Sequence, residues 1–211
     1  LVVKLEDKLN LRGASQSVVG YDENQAYTGL DWFQDLFDAI INKTVLRITY
    51  TTFSHLTYEW IIHPYYIKEY NNRWFLFGLN EDKKGITNIP LDRIENLEQV
   101  NKEYIHSEID FETYLKDVIG VSVLPAEKES IQLKFSEHRF PYVMTKALHN
   151  SQRIVDIDNR IVEISVIPNN ELDALILSFG KDVEVMSPIT YRERIMGFIK
   201  DIYGSYFHCA N

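Results

Sequence analysis

At 211 residues, with 45% hydrophobic and 25% charged side chains, the chain is long enough for one large domain or two small ones. Its 31 Asp and Glu against 22 Lys and Arg give a net charge of −9, which excludes the bulk surface as a reader of duplex nucleic acid. Each phosphate contact needs a cation, so any such contact must come from a local basic patch or from another part of the protein.

Cys209 is the only cysteine, which rules out an internal disulfide and a cysteine-based zinc site and points to a reducing, cytoplasmic location. No apolar run approaches the roughly 18–20 residues of a membrane span, and no secretory signal opens the chain, so no membrane partner is expected. Residue 1 is Leu rather than Met, which suggests that the sequence begins inside a longer protein. The 13 Tyr and 11 Phe favour half-buried strands.

In chain order, residues 1–29 are broken by Gly13, Gly20 and Gly29 and read as a connector. Residues 31–41 place Trp32, Phe33, Leu36, Phe37, Ile40 and Ile41 at helical spacing, with Asp31 as N-cap. From Thr44 the period becomes two, predicting a strand over 45–50 and a second over 56–68 that carries Pro64. A proline there marks an edge or a bulge. Asn71-Asn72 is a two-residue hairpin signal, followed by strands over 73–79, 86–91 and 94–100. Five short strands after a helix predict a small barrel, closed to remove its edges.

A short helix over 110–119 stops at Gly120, and 121–129 reads as a linker. The pattern then restarts as strand 131–135, helix 138–148, hairpin 153–157 and 161–167, helix 171–179, strand 183–186 and a last helix 189–203 with Ser187 as N-cap and Pro188 at its first position. The order β-α-β-β-α-β is that of a split βαβ, ferredoxin-like domain. The expected division is therefore 1–29 connector, 30–120 barrel domain with flanking helices, 121–129 linker and 130–211 ferredoxin-like domain. The fold class is α+β.

Four stretches, in this order and spacing, resemble the WYL family: Asp38-Ala39-Ile40 with Arg47-Ile48-Thr49-Tyr50, His63-Pro64-Tyr65-Tyr66-Ile67, Arg73-Trp74-Phe75-Leu76, and Leu91-Asp92-Arg93-Ile94. The third stands in the place of the Trp-Tyr-Leu tripeptide that names the family, with Phe for Tyr. Leu177-Ser178-Phe179-Gly180, Val183-Glu184-Val185 and Ser187-Pro188 are similar to the extension domain that commonly follows it. The resemblance implies an Sm-like, SH3-type barrel followed by a ferredoxin-like domain. It also implies a bacterial transcriptional regulator whose barrel senses a nucleotide or nucleic-acid ligand and whose extension mediates homodimerisation. The helix-turn-helix that such regulators use for duplex DNA is not visible in 1–30 and is expected upstream of Leu1.

By this resemblance Arg93 is the first candidate for the ligand groove. Arg73, after the hairpin turn, can present a second guanidinium, and Arg suits bidentate phosphate contact. The simpler reading pairs Arg93 with Asp92 or a nearby carboxylate and leaves Arg73 a solvated hairpin residue. Lys68 can complete a basic patch or merely end a strand in solvent. His63 and Tyr65 alternate onto one face, suited to hydrogen bonding and stacking against a nucleotide, although a lone His in a barrel wall is more often a satisfied core residue. Thr52, with Thr51, lies near where the family places a hydroxyl. Trp74 and Leu76 share one face and Phe75 the other, so they read as wall. Where many family members carry a further Arg, this chain has Thr87-Asn88-Ile89-Pro90, which leaves the groove one cation short.

Catalytic signatures are absent from the sequence: there is no His-Glu-x-x-His, no phosphate-binding Gly-Lys loop, no Gly-x-Ser-x-Gly elbow and no placed nucleophilic cysteine. The six His residues show no metal-ligand spacing, and neither a metal nor a cofactor is expected. Tyr191-Arg192-Glu193-Arg194 forms a basic stretch that can touch DNA or a partner, or pair within the helix. The expected function is the ligand-sensing, dimerising, non-enzymatic part of a regulator. The alternative is an accessory module that binds single-stranded nucleic acid for a nuclease or helicase.

Overall fold

The computed structural model describes residues 29–207. Residues 1–28 of the expected connector 1–29, and Cys209, lie outside them. A 3-10 turn, Leu30–Trp32, leads into helix α1, Phe33–Ile41. Asp31 sits within that turn rather than capping the helix, which starts after Trp32 without a side-chain cap. Five strands follow: β1 Val45–Thr51, β2 Thr57–Tyr70, β3 Arg73–Asn80, β4 Gly85–Pro90 and β5 Ile94–Val100. They form one antiparallel sheet in the order β4-β3-β2-β1-β5.

This sheet is open. No β4–β5 ladder joins its ends among the described residues, so the expected closed barrel is not what the chain forms. The edges are protected by other means. β5 carries exposed Glu95, Asn96 and Glu98, and Glu98 pairs with Arg47 across the strand at 3.3 Å, a charged edge that resists further pairing. The β4 edge is met by the chain downstream, where Asn88 Nδ2 donates to the Val121 carbonyl at 2.9 Å.

The turn at Asn71-Asn72 has both residues at positive φ, 50° and 60°, the backbone that a tight hairpin twisted like its strands demands. Pro64 marks a bulge: the β2–β3 register shifts between Pro64 and Tyr66. The sheet is covered on both faces. Ile48, Ile62, Leu76, Ile89 and Leu91 are fully buried on the face that α1 covers through Leu36. Each such side chain contributes about 1.5–3 kcal/mol over leaving it in water. Trp74 packs with this face, while Phe75 and Phe77 point to the opposite side, as alternation requires.

That opposite side is covered by residues 104–121. Helix α2, Phe111–Tyr114, is capped by Asp110, and Phe111 stacks on Tyr66 at 5.3 Å in a layer with Phe77, Leu115, Val118 and Val121. The remaining elements are β6 Glu129–Phe135, α3 Phe140–Thr145, β7 Arg153–Asp156, β8 Ile161–Val166, α4 Asn170–Ser178, β9 Val183–Ser187 and α5 Ile189–Phe207. Their antiparallel sheet runs β7-β8-β6-β9 over a core of Ile131, Leu133, Val162, Ile164, Leu172 and Ile176. The architecture is thus α+β with two antiparallel sheets. No helix among the described residues is long and apolar enough to cross a membrane.

Candidate ligand-binding site

Between the first sheet and the start of α4, a cavity of about 480 Å³ is lined from the first sheet by Tyr50, Tyr70, Arg73, Phe75, Asn88 and Arg93, and from the second half by Ser122 and Glu171. Both candidate arginines are here because of topology. Arg73 opens β3, and Arg93 ends the 3-10 turn Leu91–Arg93 between β4 and β5. That turn is held by Gly29, whose φ of 89° and contact with Leu91 and Asp92 leave no room for a Cβ, which would lie 2.4 Å from backbone atoms.

The ion pairing within the site differs from the simplest sequence reading. Asp92 pairs with Arg73, Nη2 to Oδ2 at 2.7 Å, rather than with its chain neighbour. Arg93 instead donates to the Tyr50 hydroxyl at 3.0 Å and lays its guanidinium over Phe53, Cζ 3.2 Å from the ring centroid. Its Nε is buried without a hydrogen-bond partner. A guanidinium so held keeps donors for an anion that no carboxylate of the described residues takes up. Phe53 is 72% exposed and also lies 5.7 Å from Arg73, so it is an aromatic cover over both cations.

The other candidates are placed elsewhere. His63 is fully buried: Nε2 meets Glu81 at 2.9 Å and Nδ1 accepts the Ile105 N–H at 3.0 Å. Tyr65 donates to the Ile105 carbonyl at 2.8 Å. The two do share a target, but it is the backbone of their own chain. Glu81 is held below the usual carboxylate range by hydrogen bonds from Lys102 and His63. Burial pushes the neighbouring Tyr104 hydroxyl up to about 12, and it donates to the Pro64 carbonyl. Thr52 closes the turn at Ser54, its hydroxyl accepting the Leu56 N–H at 3.1 Å. Lys68 lines a second cavity of about 690 Å³ and gives its ammonium to the Gly120 carbonyl at 2.8 Å; burial lowers its pKa, while Glu171 pushes it back up.

Several lining residues escaped the sequence. Asn88 falls within the stretch that lacks the family cation, and here it bonds the Val121 carbonyl rather than facing a ligand as a charge would. Tyr50 ends the first of the four stretches without standing out as a site residue, and Phe53, which lies over the arginines, belongs to none of them. Glu171 stands in the first turn of α4, where a carboxylate suits the helix N-terminus, and no local pattern links it to β3 or β4. Arg192 and Arg194 are used internally: Arg192 meets Glu184 at 2.8 Å and Arg194 meets Asp173 at 3.0 Å. Burial and the Asp173 carboxylate together push the Tyr191 hydroxyl far above its ordinary value. No group of three or more metal-ligating side chains gathers among the described residues.

Comparison with known proteins bears on the fold. Residues 31–99 match the family model described as WYL domain, and residues 127–202 match the one described as WCX domain. A comparison with curated proteins gave no match. Among solved structures, the chain is similar to proteasome accessory factor B/C (PafBC) of Arthrobacter aurescens. The identity is 16% over 90% of this chain and 29% of that one, with a TM-score of 0.37. It is also similar to a chain described as a CRISPR Cas-related protein, at 15% identity over 87% of this chain and 54% of that one, with a TM-score of 0.52. This chain therefore spans less than two thirds of either, and the second likeness concerns the fold alone. With four matching stretches and two family models, the chain carries a WYL domain over residues 31–99 followed by a WCX domain over residues 127–202.

Proposed function

We propose that this chain is the ligand-sensing and dimerising portion of a bacterial, cytoplasmic transcriptional regulator, with no catalytic activity of its own. The sensed ligand is a nucleotide or the end of a nucleic-acid strand, bound in the cavity at the domain junction. One observation carries the reading: Arg73 and Arg93 line one cavity, and Arg93 is held by a hydroxyl and an aromatic ring rather than by a carboxylate. The volume of about 480 Å³ suits a small ligand, and Tyr50, Tyr70 and Phe75 supply aromatic walls.

A ligand touching both halves of the chain favours one relative arrangement of them. That population shift is what would reach a DNA-binding domain outside this sequence. We read the first sheet as an Sm-like fold left open and the second, with its β-α-β-β-α-β order, as ferredoxin-like. Titration of nucleotides and short oligonucleotides against wild type and Arg93→Ala tests the proposal. Binding by wild type that Arg93→Ala weakens by an order of magnitude or more supports it; no binding by wild type removes it.

A further inference from the structure

We propose that Glu171, contributed by the WCX domain, reads the base of the bound nucleotide. Arg73 and Arg93 take the phosphate, and the Glu171 carboxylate accepts a hydrogen bond from an exocyclic amino group of the base. This inference rests on the anion-sensing role of the cavity proposed above.

The two oxygens of Glu171 are in different situations. Oε1 accepts three hydrogen bonds, from the Val121 N–H at 3.3 Å, the Ser122 N–H at 3.1 Å and the Ser122 hydroxyl at 2.7 Å. Oε2 is buried and has no hydrogen-bond partner, and its residue lines the cavity that holds the arginines. A carboxylate oxygen withdrawn from water without a donor is costly, so the site gains when a ligand supplies one. Lys68, close enough for its charge to be felt by Glu171, turns its ammonium to the Gly120 carbonyl.

Arg93 Nε is the complementary case, a buried donor without an acceptor on another residue that lines the cavity. The cavity thus asks for a molecule with an acceptor-rich anionic group and an N–H donor. Tyr70 and Phe75, half-buried aromatics that line the cavity, suit a flat heterocycle, which favours a nucleobase over a flexible amine. Because Arg93 and Glu171 belong to different domains, the molecule that satisfies both joins them.

Isothermal titration of the whole chain tests this with two pairs of probes. One is adenosine 5′-monophosphate against purine riboside 5′-monophosphate, the other guanosine against inosine 5′-monophosphate. Each pair differs by one amino group, with charge and ring size held. The same bases in 5′-phosphorylated dinucleotides distinguish a free nucleotide from a strand end as the source. The expected result is that the amino-bearing member of at least one pair binds about tenfold tighter or more.

In Glu171→Gln that preference is expected to vanish. The three donors at Oε1 retain the amide oxygen, so the amide NH2 stands where Oε2 stood and repels a donor. Glu171→Asp, which withdraws the acid by one methylene, is the second variant should the amide fail to fold. Equal binding within both pairs by wild type, with loss of every probe in Arg93→Ala, overturns the Glu171 assignment and leaves anion sensing standing. A preference that survives in both Glu171 variants likewise overturns it. Binding of no probe overturns both readings.

Discussion

Arg73 pairs with Asp92 at 2.7 Å, and by engaging that carboxylate it leaves Arg93 free of any ion pair among the described residues. The cavity consequently has one neutralised guanidinium and one held by Tyr50 and Phe53. Arg93→Lys keeps the charge but loses the planar fork that bonds the hydroxyl and stacks on the ring. Nucleotide affinity is expected to fall about tenfold by titration at fixed salt. Unchanged affinity would mean that charge alone matters.

Asp92→Asn releases Arg73 and removes a negative charge from beside the site. Affinity for an anionic ligand is expected to rise roughly threefold or more at low salt, with the gain shrinking as salt screens it. Because Arg73 is 38% exposed, the pair itself contributes no more than about 1 kcal/mol to stability, and thermal unfolding should move little. A fall in affinity would show that Asp92 positions Arg73 rather than competing for it.

Gly120 has φ of 86°, and a Cβ there would lie 2.7 Å from Glu171 Cγ and 3.0 Å from its Cβ. Gly120→Ala is expected to destabilise the chain by about 1–3 kcal/mol in urea denaturation and to displace Glu171. Unchanged stability would mean that the junction relaxes freely.

His149 joins the halves through Nε2, which donates to the Lys116 carbonyl at 2.8 Å, while Nδ1 accepts the Ser151 N–H at 3.2 Å. Burial lowers its pKa below the ordinary imidazole value. The unfolded chain therefore takes up the proton more readily, so the contribution is full above the ordinary value and is lost as pH falls through it. Wild type should lose more thermal stability between about pH 7.5 and 5.5 than His149→Gln, whose amide keeps one donor and one acceptor. Parallel pH profiles would remove His149 as the cause.

Along α5 and its flank, Ile189, Met196, Ile199 and Tyr206 are 62%, 56%, 54% and 80% exposed, an apolar face suited to a second copy of the chain. Sedimentation is expected to show a dimer, and Met196→Glu with Ile199→Glu is expected to give a folded monomer. A wild-type monomer would remove the dimer from the proposal.

The sequence by itself determined the local geometry. Alternation placed Trp74 and Leu76 opposite Phe75, Asn71-Asn72 dictated the hairpin, and Pro64 announced the bulge, because each depends on neighbours within a few residues. It also singled out Arg73 and Arg93. Tertiary structure decided which of these groups remain available. Ile105 engages His63 and Tyr65, Asp92 chooses Arg73 over its neighbour, the sheet stays open, and α4 brings Glu171 to the arginines. Such outcomes depend on strand register and on packing between segments far apart in the chain, and no local periodicity encodes which distant atoms meet.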